Sequence, residues 1–125
     1  MIFGIGIDLV QSDRVKLLID RFQDRFVRKI LTNNEFELYL SSSKKVSFVA
    51  NRFAAKEAFV KSLGTGFRYP VTLKAISILH DTQGKPFFVF NRDLQILLNQ
   101  FKIINHHLTI TDEKKYACAF VVLEK

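Results

Sequence analysis

The stretch LKAISILHDTQGKPFFVF, residues 73–90, holds two short apolar runs on either side of Asp81-Thr82-Gln83-Gly84. Runs of this length separated by an Asp/Gly turn fold back on one another, so the stretch predicts an antiparallel hairpin. The arrangement recurs near the end of the chain, where HHLTIT (106–111) and YACAFVVL (116–123) flank Asp112-Glu113-Lys114-Lys115. Between the two hairpins a helix is expected from about Arg92 to Phe101. Hairpins without strand-helix-strand alternation point to an α+β fold with a mainly antiparallel sheet.

Upstream of Pro70 the texture is helical. A long helix is expected from about Lys44 to Leu63, ended by Gly64-Thr65-Gly66, which supplies a C-cap and a flexible turn. Thr32-Asn33-Asn34-Glu35 fits a capping box, Thr32 at the N-cap and Glu35 at N3, so a short helix starts there and SSS at 41–43 breaks it. Ser12 or Asp13 is expected to cap an earlier helical segment in which Ile19, Phe22, Phe26 and Ile30 recur at helical spacing, Phe22 and Phe26 reading as core. A strand near residues 2–9 opens the chain. The sheet should thus pack against one long helix and shorter helices in a single domain over residues 1–125, since no repeat, low-complexity tract or Pro/Ser-rich linker interrupts it.

With 125 residues, 48% of them hydrophobic and 13 of them Phe, the chain has the material for one core and is not a disordered polypeptide. Its apolar runs fall far short of the ~18 consecutive residues of a spanning helix, and its start lacks a basic segment followed by a long apolar one, so a cytoplasmic protein without membrane contact is expected. Cys118, alone in an apolar run, reads as a small buried hydrophobe. Nineteen Lys and Arg against twelve Asp and Glu give a net charge of +7. Residues 1–68 carry 12 basic and 7 acidic side chains and residues 69–125 carry 7 and 5, which places the anion-seeking surface in the first half. Nucleic acid, phosphorylated small molecules and acidic proteins all answer to such a surface.

Three constellations carry chemistry. The first is GIGID (4–8), whose two glycines weaken a strand interior and call for a bulge, a close backbone approach or a phosphate loop. A dinucleotide fingerprint needs a third glycine where Leu9 stands, and no Gly-Lys-Ser/Thr of a P-loop occurs. What remains is Asp8 near a strand end whose glycines let another group come close, or simply a solvated Asp before a turn. The second is NRFAAKEAFVKSLGTG (51–66), in which Phe53, Glu57 and Lys61 share one helix side while Arg52 and Lys56 form a neighbouring basic row. Glu57 and Lys61 fit an ordinary surface ion pair, and a Gly-Thr-Gly turn beside basic side chains equally lets a phosphate approach the backbone. One or two carboxylates, completed by water and phosphate oxygens, are how proteins hold Mg²⁺, so Asp8 and Glu57 form a candidate site if the fold brings them together.

The third is a row of arginines: Arg14, Arg21, Arg25 and Arg28 fall within about 60° of one another if a single helix carries them. Guanidinium groups on one face suit carboxylate or phosphate partners, and the same row also describes a solvated face. His106 and His107, adjacent in an expected strand, point to opposite faces and cannot share a metal, and His80 stands alone before a turn.

In four blocks spanning nearly the whole chain the sequence resembles the holo-[acyl-carrier-protein] synthases, the small phosphopantetheinyl transferases. The blocks are GIGIDLV (4–10), ILTNNEFELY (30–39), RFAAKEAFVKSLGTG (52–66) and LTITDEKKYACAFVV (108–122), with GKP at 84–86 between them. The resemblance implies that family's fold and the transfer of 4′-phosphopantetheine from coenzyme A to a serine of an acidic acyl carrier protein, in support of fatty acid biosynthesis, with 3′,5′-ADP as leaving product. It also implies a requirement for Mg²⁺ and a homotrimer with active sites between subunits.

By motif, Asp8 and Glu57 resemble the family's metal ligands and, with Lys61, its catalytic group. Lys61 and the turn Gly64-Thr65-Gly66 resemble the contacts to coenzyme A phosphates, with Arg52 and Lys56 nearby. Arg14 and Arg21, with Arg25 displaced by one residue from the family pattern, resemble the helix that receives the carrier. One block departs: many members read Ser-x-Ser-His where this chain has Thr109-Ile110-Thr111-Asp112, so a histidine contact to the nucleotide is not expected. From another class, the residues alone also allow a small basic nucleic-acid-binding module without catalysis, which needs exposed stacking aromatics beside the arginines, or an adaptor that docks an acidic carrier without turnover.

Overall fold

Alternation along the opening strand decides how the rest is stacked. In the computed structural model, which describes residues 1–125, β1 spans Ile2–Gln11. Gly4, Gly6, Asp8 and Val10 face inward while Ile5, Ile7 and Leu9 stand exposed on the other side, the period-2 pattern of a strand. Then come α1 (Ser12–Phe22), α2 (Asp24–Ile30), α3 (Asn33–Leu40) and the long α4 (Lys45–Leu63). A 3-10 turn at Leu73–Ala75 leads into the hairpin of β2 (Ile76–His80) and β3 (Pro86–Phe90); α5 (Arg92–Gln100) connects it to the hairpin of β4 (Asn105–Asp112) and β5 (Tyr116–Glu124).

All strand pairings are antiparallel. Three strands form one sheet in the order β1-β5-β4, and β2-β3 form a second, smaller one. Within the larger sheet Asp8 stands opposite Ala119, which stands opposite Ile110. The backbone of α4 crosses its inner face unusually closely. A Cβ on Gly6 would lie 1.9 Å from the Ala58 carbonyl oxygen, and one on Gly4 would lie 2.0 Å from that of Ser62. The two glycines of the opening stretch are therefore required by the helix that fills their side-chain space, with the buried Ala54, Ala55 and Ala58 keeping its near face small.

Local expectations hold at both ends of the helices. Thr32 and Glu35 form the capping box, Glu35 N–H donating to Thr32 Oγ1 and Thr32 N–H to Glu35 Oε1 at 2.9 Å. Gly64 ends α4 with φ 83, the left-handed value glycine adopts freely. The segment after β1 differs from its reading. Gln23, at φ 52 and ψ −136, breaks it into α1 and α2, so no single helix carries the arginine row. Gln11 rather than Ser12 or Asp13 occupies the N-cap of α1, without a side-chain cap hydrogen bond, and the Ser12 N–H donates to the Lys115 carbonyl at 2.8 Å. Phe22 is exposed, with the Arg21 guanidinium over its ring, whereas Phe26 packs against the core. Cys118 is only half-buried, since β5 sets it opposite Leu9 on the outward side of the sheet.

Candidate active site

The close crossing of β1 and α4 brings three of the expected side chains together. Lys61, near the end of α4, donates from Nζ to Asp8 Oδ1 and to the Ile7 carbonyl, each at 3.1 Å. It thus serves Asp8 across the helix-strand contact; sequence spacing alone pointed to Glu57 as its partner. Glu57, one turn earlier, is held above the usual carboxylate range, first by burial and then by the charge of Asp8, with Lys61 opposing. Both carboxylates open into a groove of about 440 Å³ that Arg14 also lines, with Leu18, Phe26 and Phe53 as apolar walls. The sequence placed Phe53 on the Glu57 side of its helix; Leu18 and Phe26 carry no sequence signal for this role.

Two facing carboxylates on rigid elements fit a hard divalent cation. Burial first, and then the charge of Asp8, raise the proton affinity of Glu57; a bound cation would offset both, and oxygen donors are what Mg²⁺ prefers. No third His, Cys, Asp or Glu joins them, so the remaining positions would belong to water and phosphate oxygens, the ordinary arrangement for Mg²⁺.

Arg52 and Lys56 do not belong to this face. Roughly 100° per residue turns them away from Glu57 and Lys61, toward α3 and β2. Lys56 is fully buried and its three N–H groups donate to Glu35 Oε1 at 2.6 Å, the Ile30 carbonyl at 2.7 Å and the Leu73 carbonyl at 3.2 Å. Burial lowers it to about 8 despite the attraction of Glu35. Arg52, also buried, lies 3.4 Å from Glu35 Oε2, donates to the Ile78 carbonyl and sits over the Phe48 ring. With no donor of Lys56 left free, the expected contact to coenzyme A is corrected for Lys56; Arg52 lines a separate pocket with Phe48 and His80, apart from the Asp8 groove, and both cations belong to a cluster around Glu35. The sequence showed Glu35 only as a cap.

The remaining expected residues lie at or near the surface. Gly64 and Gly66, at φ 83 and 70, have open space where a Cβ would be, so the Gly64-Thr65-Gly66 turn is an exposed backbone loop directly beyond Lys61. Arg21 ends α1 and Arg25 begins α2, while Arg28 leaves the row to lie 3.9 Å from the Phe36 ring centre. Asp112 accepts a hydrogen bond from Asn51 Nδ2 at 3.0 Å. His106 packs edge-on against Phe90 and His107 pairs with Glu124, on opposite sides of their strand as expected. No helix is long and apolar enough to cross a membrane.

A sequence profile of the 4′-phosphopantetheinyl transferase superfamily matches residues 4–121. The holo-[acyl-carrier-protein] synthase of Nitrosospira multiformis is 49% identical over 125 residues, 100% of both chains. Among solved structures, the holo-[acyl-carrier-protein] synthase from Neisseria meningitidis superposes with a TM-score of 0.97 at 42% identity, covering 100% of each chain. A holo-(acyl-carrier-protein) synthase from Bacillus anthracis in complex with CoA (3′,5′-ADP) superposes with a TM-score of 0.82 at 37% identity, covering 98% of this chain and 96% of that one.

Proposed function

The chain belongs to the 4′-phosphopantetheinyl transferase superfamily, and from that premise we propose that it is a holo-[acyl-carrier-protein] synthase. It moves 4′-phosphopantetheine from coenzyme A to a serine hydroxyl of an apo acyl carrier protein, releasing 3′,5′-ADP, in support of fatty acid biosynthesis in the cytoplasm. The observation that carries the reading is the meeting of Asp8, Glu57 and Lys61 at one groove also lined by Arg14.

In the reaction the serine oxygen attacks the phosphorus that bears pantetheine, a new P–O bond forms, and the bond to 3′,5′-ADP breaks. Phosphoryl transfer asks a protein mainly for positioning and charge neutralisation. Mg²⁺ held by Asp8 and Glu57 would draw charge from the pyrophosphate oxygens and stabilise the leaving group. Lys61, fixed by Asp8 and the Ile7 carbonyl, sets a positive charge beside that position. Beyond Gly64, whose own N–H donates to the Val60 carbonyl, the turn presents the Thr65 and Gly66 N–H groups to coenzyme A phosphates. Arg14, Arg21 and Arg25 meet the acidic carrier and aim its serine at the groove. With the basic surplus given an acidic protein partner, the nucleic-acid module has nothing left to explain.

A homotrimer completes the reading. Ile5, Ile7, Leu9 and Phe120 stand exposed together on the outer face of the three-stranded sheet, an apolar patch that a second copy would cover. The function is tested by following release of 3′,5′-ADP from coenzyme A. Release should need apo carrier, stop on chelation of divalent metal and return with Mg²⁺; release that survives chelation would remove Mg²⁺ from the account, and none under any condition would remove the synthase reading.

A further inference from the structure

Between two buried anchors, Leu63 at the end of α4 and Val71 ahead of the 3-10 turn, residues 64–70 run along the surface, exposed or half-buried. Gly64 and Gly66, at φ 83 and 70, leave this backbone freer than residues with side chains would. Its own hydrogen bonds are short-range. Thr65 Oγ1 donates to the Gly66 carbonyl at 2.9 Å, Arg68 N–H donates to the same carbonyl at 3.1 Å, and Val71 N–H donates to the Arg68 carbonyl at 2.7 Å. A single side chain of the segment makes a hydrogen bond to another element: the Tyr69 hydroxyl donates to Asp93 Oδ2, in the first turn of α5. The Tyr69 residue is 77% exposed, so burial does not hold it there and the hydroxyl is the attachment. The other end of the bond stands on a fixed post. Asn91 caps α5 by accepting from Leu94 N–H at 3.0 Å, and Leu94 and Leu98 root the helix in the core.

The same segment carries the Thr65 and Gly66 N–H groups. Resting on the reading of that turn as a coenzyme A contact, we propose that Tyr69 is a positioning residue for coenzyme A: its hydrogen bond to Asp93 holds residues 64–70 in the conformation that receives the phosphates. Backbone donors bind an anion best when they are already aimed at it, because a segment that must be ordered on binding loses part of the interaction free energy to its own entropy. Tyr69 acts through the backbone of Thr65 and Gly66, so its effect belongs to coenzyme A binding and not to the transfer step or to the carrier. Both partners of the bond are exposed and water competes for them, which makes the effect modest.

The test measures kcat, KM for coenzyme A and KM for apo carrier in wild type, Tyr69→Phe, Asp93→Ala, the double variant and Asp93→Asn, with thermal unfolding beside them. Tyr69→Phe keeps the ring and removes the donor; Asp93→Asn keeps an oxygen acceptor. Tyr69→Phe and Asp93→Ala should each raise KM for coenzyme A about fivefold, the loss of one exposed hydrogen bond, and the double variant should raise it no further. Asp93→Asn should stay near wild type, and kcat, carrier KM and the melting temperature of Tyr69→Phe should not change. An unchanged KM for coenzyme A in Tyr69→Phe, additive effects in the double variant, or an equal rise in carrier KM overturns the proposal and leaves the synthase reading standing. A wild type that transfers nothing overturns that reading and this inference with it.

Discussion

Asp8 is useful because three neighbours leave it little freedom: a strand backbone pinned to α4 by glycine, the Lys61 ammonium at 3.1 Å, and Glu57 within range of its charge. The consequence for Glu57 is measurable. Burial and Asp8 hold its carboxyl above the usual range, so protons would compete with a divalent cation for it as pH falls toward that raised value. Metal affinity and transfer rate should both fall as pH drops through that raised value. Metal-free stability should move the other way. The folded state binds this proton more readily than the unfolded chain, so the contribution of Glu57 to stability rises as pH falls from above its folded value toward the ordinary one. Transfer rate and melting temperature followed against pH, in wild type and in Glu57→Gln, check both signs; a Glu57→Gln profile that keeps the wild-type pH dependence of stability would contradict the assignment.

At the scale of elements, the molecule depends on how closely α4 approaches β1 and on the buried cluster on its other side. Gly6→Ala would drive a methyl group to 1.9 Å from the Ala58 carbonyl oxygen, pushing strand from helix. It should cost about 3 kcal/mol or more in urea unfolding and lower transfer as well, because Asp8 moves with the strand. Glu35→Ala strands Lys56 and Arg52 without their anion and should cost about 3–5 kcal/mol. A loss below about 1 kcal/mol in either would show that the element contact is softer than the geometry says. Much of this scale was legible in the sequence: Asp81-Thr82-Gln83-Gly84 and Asp112-Glu113-Lys114-Lys115 announce their hairpins, Thr32 with Glu35 its helix, Gly64 the end of α4. The break at Gln23 was not, because no glycine or proline marks it and the helical spacing of Ile19, Phe22, Phe26 and Ile30 runs straight through. Nor was the inward turn of Arg52 and Lys56. A cationic row on a helix reads as surface unless its buried anion is known, and Glu35 lies 21 residues away from Lys56.

For the whole molecule, the sequence offered candidate residues, and only the fold divided them into faces. Asp8, Glu57 and Lys61 came together as their motifs implied, while Arg52 and Lys56 went to the opposite side of the same helix. The outward side of β1 raises the question of assembly. Ile7→Glu places a carboxylate in the middle of the exposed apolar patch and should reduce the light-scattering mass from three chains to one, with loss of transfer; a wild type already at the mass of one chain would contradict the trimer.

The central claim is the transfer itself, and intact-protein mass spectrometry of an acidic apo acyl carrier protein tests it most directly. After incubation with this protein, coenzyme A and Mg²⁺, the carrier should gain the mass of one phosphopantetheine, and Asp8→Ala, folded by circular dichroism, should leave it unmodified. A carrier that stays at its apo mass with folded wild type, or one modified equally well by Asp8→Ala, would contradict the account.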